Sequence, residues 1–265
     1  MRHFISAVAV GVLASAVCAG DYEYTMDFES VKPGKVALET YLVNGEGSKD
    51  EHVGVWGDKT ADAAAYAEVA DGAGYNNTRG LRVVDNSPGK MLYVLLTTTE
   101  GSQFNGAPIV KGVVRFDLCF DKLPTQTVFV GRRNFGININ AEGKGISVGG
   151  LDAPEGRKVE SVKADFTFEA GKWYRIWIQF DSPVGPEEKK LGKFSVFIKP
   201  ADGKDDFKPE QAVVVNADFK YDPANDGWGR IGVPEGYAAD ATVVFRVDNF
   251  ALWSGPAKWA PVTKK

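Results

Sequence analysis

Hydrophobic and polar positions alternate with a period of two along most of this chain. The clearest run is Trp173 to Asp181, preceded by the turn signal Ala170-Gly171-Lys172. Tyr174, Ile176, Ile178 and Phe180 fall on one side; Trp173, Arg175, Trp177, Gln179 and Asp181 fall on the other. This alternation predicts a long strand with its first set facing a core. Val110 to Asp121 alternates in the same way, with Val114, Phe116, Leu118 and Phe120 opposite Arg115, Asp117, Cys119 and Asp121. Further strands are predicted over Glu23–Glu29, Ala65–Val69, Gly80–Asp85, Met91–Thr97, Thr125–Arg132, Phe135–Asn140 and Ile146–Val148. Others follow at Lys158–Val162, Phe166–Phe168, Phe194–Lys199, Ala212–Val215, Arg230–Val233 and Thr242–Trp253. Asn86-Ser87-Pro88-Gly89 and Pro200-Ala201-Asp202-Gly203 read as turns. The stretch from Asn44 to Thr78, rich in Gly, Asp and Ala, reads as a long loop apart from its one short strand.

No amphipathic helix of any length is predicted. Short strands separated by glycine and proline turns point to an all-β, two-sheet antiparallel sandwich. The 30 glycines and the 12% aromatic content among 265 residues suit that class. No internal repeat or Pro/Ser-rich linker divides the chain, so one domain is expected over residues 20–254. A tail follows over 255–265.

The first residues change the picture of compartment. Arg2 and His3 precede an apolar run from Phe4 to Val17, closed by the small residues Ala19 and Gly20. This is the anatomy of a secretory signal peptide over residues 1–19, and the run is short for a membrane anchor. The expected protein is exported, to the periplasm, the cell surface or the medium, with no transmembrane segment. Losing Arg2 with the leader takes the net charge from −4 to −5. Without a basic block, nucleic acid is not an expected partner. Cys119 and His52 are then the sole cysteine and histidine, which excludes an intrachain disulfide and a His/Cys zinc cluster.

Several stretches, taken in order, resemble a known superfamily. They are Met26-Asp27-Phe28-Glu29, Gly80-Leu81-Arg82-Val83, Gly171-Lys172-Trp173-Tyr174-Arg175-Ile176 and Val247-Asp248-Asn249-Phe250-Ala251-Leu252. Together they resemble the laminin-G-like, concanavalin A-like lectin/glucanase group, in a bacterial-style exported form, over residues 23–254. The resemblance implies a two-sheet jelly roll, concanavalin A-like, with one concave sheet. Its members include lectins, carbohydrate-binding modules, glycosidases, polysaccharide lyases and structural modules, so it does not select an activity. It also implies that the first and last strands are neighbours. That would bring Glu29 near Asp248 as a candidate calcium site, since calcium takes carboxylate and carbonyl oxygens.

Candidate chemistry is thin. Glycoside hydrolysis needs two carboxylates flanking one bond, and the laminarinase pattern Glu-x-Asp-x-x-Glu is broken at Glu46-Gly47-Ser48-Lys49-Asp50-Glu51. Arg115-Phe116-Asp117 weakly imitates one alginate-lyase strand, but no predicted strand carries a histidine. What stands out is a mixed face of Arg115, Asp117, Arg175, Trp177, Gln179, Arg246 and Asp248. If their strands adjoin, planar polar groups surround an indole, as a glycan-binding strip requires. The competing explanation is a ladder of cross-strand ion pairs. Trp56, Trp228 and Trp259 fall in loop-like contexts, where a tryptophan can serve as a sugar platform. The expected function is carbohydrate binding without cleavage. The alternatives are a polysaccharide hydrolase or lyase, and a structural or adhesive surface protein.

Overall fold

The computed structural model describes residues 23–38, 40–43, 51–57, 64–86, 92–96, 103–104, 107–108, 111–132, 135–149, 159, 161–181, 191–219, 230–232 and 242–254. The expected leader over 1–19, the expected tail over 255–265 and the tryptophans Trp228 and Trp259 lie outside them.

The strands in chain order are β1 Glu23–Met26, β2 Gly34–Val36, β3 Thr40–Val43, β4 Glu51–Gly57, β5 Ala65–Ala70, β6 Gly80–Asp85 and β7 Leu92–Leu96. They continue with β8 Gln103–Phe104, β9 Ala107–Pro108, β10 Lys111–Lys122, β11 Val128–Arg132, β12 Phe135–Ile139 and β13 Ile146–Gly149. The last six are β14 Ser161–Val162, β15 Trp173–Asp181, β16 Gly192–Pro200, β17 Ala212–Phe219, β18 Arg230–Gly232 and β19 Val243–Ser254. Among the described residues the only helical pieces are single 3-10 turns. Phe166–Phe168 is no strand; Thr167 makes one isolated bridge to Lys144.

Two antiparallel sheets form an all-β sandwich. One has the order β14-β17-β16-β15-β10-β19-β6-β5-β2, with β1 also on β19; the other runs β13-β12-β11-β18-β7-β4-β3. The core between them is apolar from both sides. The ten-stranded sheet contributes Phe116, Leu118, Phe120, Ile176, Ile178, Phe180 and Phe245; the seven-stranded sheet contributes Val53, Val55, Val94, Val128, Val130, Ile137 and Ile139. Phe135 of the seven-stranded sheet lies 5.4 Å from Phe180, 5.1 Å from Phe194 and 4.5 Å from Phe219, ring centre to ring centre. Those tilted aromatic contacts join the layers. The alternation of β15 is therefore used as the sequence predicts, with Tyr174, Ile176, Ile178 and Phe180 inward.

Two departures matter for the site. The expected loop over 44–78 contains β4, which pairs β3 on one side and β7 on the other. Gly54 and Gly57 disguise it, and its only apolar alternation is Val53 and Val55, so neighbours rather than propensity make it a strand. Second, β19 carries a bulge. Its register against β10 shifts between Arg115↔Ala251 and Asp117↔Asp248, where Asn249 adopts φ of 50°. The extra residue reverses the alternation. Val243, Phe245 and Val247 face the core before it; Phe250 and Leu252 do so after it.

Candidate functional site

The strands carrying the expected glycan strip do adjoin. β15, β10 and β19 are consecutive in the sheet, with Arg115 opposite Trp177, Asp117 opposite both Arg175 and Asp248, and Cys119 opposite Arg246. Arg175 clamps Asp117 through two bonds, Nε to Oδ1 at 2.7 Å and Nη2 to Oδ2 at 2.8 Å, both groups being buried. Burial alone would depress the guanidinium pKa; its hydrogen bonds to Asp117 and the charges of Asp117 and Asp205 reverse that and raise it. Arg246 reaches Asp121 at 2.7 Å and lies over the Trp173 ring. Its Nη2 also donates to the buried Cys119 Sγ, whose thiol pKa burial pushes up.

This face is covered. Over Trp177 and Arg175 the cover is the segment 201–211, which follows β16. Its Phe207 packs 5.2 Å from Trp177, and Trp177 lies 5.4 Å from Trp253. With Val113, Phe197, Ala212 and Ala251 these rings form a second, smaller core. Trp177 is 2% exposed and Gln179 5%. Three aspartates of the cover meet three cations of the sheet. Asp205 takes Arg115 at 2.9 Å and Arg175 at 3.0 Å; Lys199 donates to Asp206 at 2.7 Å and contacts Asp202 at 3.0 Å.

Beside this network lies the pair considered for calcium. β1 and β19 are neighbours, as the resemblance implies. Glu29 Oε1 accepts the Arg79 backbone N–H at 2.8 Å. Asp248 Oδ2 accepts Tyr75 N–H at 2.8 Å and Thr78 Oγ1–H at 3.1 Å, while its Oδ1 accepts Asn249 N–H at 2.7 Å. Both carboxylates thus anchor one turn, 71–79. Gly74 is required there, because a Cβ would stand 2.7 Å from Asp248 Oδ2 and 2.5 Å from Arg79 O. These hydrogen bonds engage one oxygen of Glu29 and both oxygens of Asp248. Among the described residues no three His, Cys, Asp or Glu side chains are grouped to hold a metal.

Asp248 carries an uncompensated charge. Asp117 has its guanidinium, whereas Asp248 has neutral donors and faces Asp117. Burial first, and the Asp117 charge after it, raise its pKa from 3.8 to about 6 against the lowering effect of its hydrogen bonds. A carboxyl whose folded pKa exceeds its unfolded value favours the folded state when protonated. Its contribution is full below the unfolded pKa and is lost as pH rises through about 6. Wild-type stability minus that of Asp248→Asn is therefore expected to grow by up to roughly 3 kcal/mol from pH 7 to pH 4. Urea unfolding of both proteins across that range checks it; a difference independent of pH defeats it.

The outer face of the seven-stranded sheet has another character. Backbone register aligns one row across it: Ser147, Asn138, Phe129, Gly232, Tyr93 and Trp56. The adjacent row aligns Gly149, Gly136, Gly131, Arg230, Leu95 and Gly54. The flanking residues Val128, Val130, Leu92, Val94, Val53 and Val55 are in the core, which puts the first row outside. The glycines let their neighbours lie flat. A Cβ on Gly136 would stand 2.9 Å from the Phe129 ring, and one on Gly149 would stand 2.6 Å from Asn138 Oδ1. The result is a low floor with half-buried Trp56, Tyr93 and Asn138 along it. The sequence missed this row because its glycines interrupt every apolar run.

His52 corrects an expectation. It belongs to β4, at the irregular step where the pairing with β3 passes from Leu42↔Val53 to Val43↔Glu51. The chain thus has a histidine on a strand, contrary to the reading that weighed against a lyase.

No family model matches the chain, and no curated protein matches it. Solved structures give distant likenesses. The alginate lyase Aly36B, in complex with alginate trisaccharide, is 11% identical over 88% of this chain and 98% of its own, with a TM-score of 0.48. The PL-14 alginate lyase from Aplysia kurodai is 12% identical over 89% and 91%, with a TM-score of 0.33. Trypanosoma rangeli sialidase is 16% identical over 73% of this chain and 29% of its own, with a TM-score of 0.35. At such scores these likenesses carry no argument about activity. The all-β class rests on the sheets themselves, and the laminin-G-like superfamily on the sequence resemblance alone.

Proposed function

We propose that this is an exported polysaccharide-binding protein whose binding surface is the outer face of the seven-stranded sheet. The observation that carries the reading is the cross-strand row Trp56, Tyr93, Gly232, Phe129, Asn138 and Ser147. Aromatic, amide and hydroxyl groups in line, over glycine positions that admit close backbone approach, suit a flat chain of sugar rings. Export rests on the leader over residues 1–19. Trp56→Ala and Tyr93→Ala are each expected to weaken polysaccharide binding about tenfold, or roughly 1.4 kcal/mol, with the urea midpoint little changed. Isothermal titration against a polysaccharide panel checks this. Unchanged affinity in both variants, or no ligand in the panel, defeats it.

A second reading, a polysaccharide lyase, is favoured by the place of His52 on β4, the strand that also carries Trp56. Eliminative cleavage of a uronate needs its carboxylate neutralised, a base for the α-proton and an acid for the leaving oxygen. A histidine, a tyrosine and an arginine, at His52, Tyr93 and Arg230, are residue types that serve those roles. No carboxylate stands at any register position of the two rows, so the pair that hydrolysis needs is not among these described positions. An unsaturated product from a polyuronate, absent in His52→Ala and Tyr93→Phe, distinguishes cleavage from binding alone.

A further inference from the structure

We infer that segment 201–211 is a displaceable strap, and that the strip beneath it is a second binding surface, for a uronate-bearing glycan. The strip is separate from the seven-stranded face and does not depend on the function proposed for that face. Its floor holds three cations around two indoles: Arg115, Arg175 and Lys199 beside Trp177 and Trp253. Arg175 and Lys199 stand directly opposite each other in register. Like charges so placed repel unless anions sit between them. The strap supplies those anions as Asp202, Asp205 and Asp206, and it supplies an apolar ring as Phe207. Carboxylates spaced along a chain, with a ring seated between them on tryptophan, are also what a polyuronate presents.

The two sides of these pairs differ in exposure. Lys199 is 4% exposed and Arg175 3%, whereas Asp206 is 65% exposed and Asp202 49%. Water therefore reaches the strap's carboxylates while the cations stay fixed in the sheet. An ion pair with one partner in water exchanges readily for another anion. The strap is tied at its ends: Ala201 N–H donates to Trp173 O at 2.9 Å, and at the other end Lys163 Nζ donates to Glu210 O, where Gln211 N–H closes a turn on Lys208 O within the strap. Tyr75 Oη–H adds a bond to Ala201 O at 2.9 Å. Side chains hold the middle. Beneath it, the buried Trp177 Nε1–H has no hydrogen-bond partner among the described residues. A buried donor left unmade is costly, and a glycan hydroxyl would satisfy it.

Polygalacturonate is the probe, with a neutral β-glucan as control. Adding polygalacturonate to the wild-type protein is expected to raise hydrogen exchange at residues 203–208. The variant Asp202→Asn/Asp205→Asn/Asp206→Asn, which weakens the strap's hold, is expected to bind it about tenfold tighter. Both readouts are repeated with Trp56→Ala/Tyr93→Ala in place. Failure of the other face then leaves this result standing, and the reverse also holds. Unchanged or lowered exchange across 203–208 overturns the proposal in the wild-type protein, without recourse to a variant. So does an asparagine variant that binds no tighter, or an equal response to the neutral glucan.

Discussion

Arg175→Met is expected to lower stability by about 3–5 kcal/mol, as removal of one partner from a buried ion pair does. Methionine keeps much of the aliphatic volume but removes both bonds to Asp117 and the one to Asp205. Asp117, with no exposed surface, would then hold a buried charge met, among the described residues, by Asn249 Nδ2 at 2.9 Å. Opposite it stands Asp248, a second buried carboxylate. Two carboxylates without a cation cannot both stay ionised at neutral pH, so the fold would be lost or protonated. Adding Asp117→Asn to Arg175→Met should recover part of the loss, because the orphaned charge goes with it. Urea midpoints of the two single variants and the double variant test this. A loss below about 1 kcal/mol for Arg175→Met, the worth of an exposed pair, would mean that water reaches Asp117.

The pair was legible in the sequence as two residue types on the outer sides of two alternating strands. The alternation of β15 and β10 fixes which residues face outward, and both strands are long enough for the pattern to stand clear of noise. Three things hid the rest. The bulge at Asp248 and Asn249 is one residue long and leaves no compositional trace, yet it turns Trp253 from the core side to the outer side, against Trp177. Strict alternation from Val243 would have placed Trp253 in the main core. The cover was read only as a turn at Pro200–Gly203, because Phe207 stands alone among charged residues and its destination is set by the sheet it meets. β4 was hidden by glycine. Gly54 and its register partners make the outer floor of the seven-stranded sheet, so the feature that builds the candidate site is the one that blurs its strands. Chain-local pattern finds strands with an apolar side and misses a strand whose purpose lies on its other side.

Trp177→Ala separates a structural tryptophan from a ligand-binding one. If its work is to fill the smaller core, truncation should cost about 3–5 kcal/mol, the usual range for a buried large aromatic. The geometry favours that outcome: Phe207 and Trp253 lie on it at 5.2 Å and 5.4 Å, and Val113 and Ala251 share its cluster. The main core is on the other side of the sheet and does not touch it, so the damage should be local at first. Phe207 would lose its seat, and hydrogen exchange across 203–208 should rise before global unfolding. Phe207→Ala should cost less, because the strap around it can sink into the space, whereas β15 cannot move toward the cover without leaving β10 and β16. Stability and polysaccharide affinity are to be measured on the same Trp177→Ala sample. A stable variant that has lost affinity would mean that the indole serves ligand and not fold; a destabilised variant whose folded fraction still binds with wild-type affinity would mean the reverse.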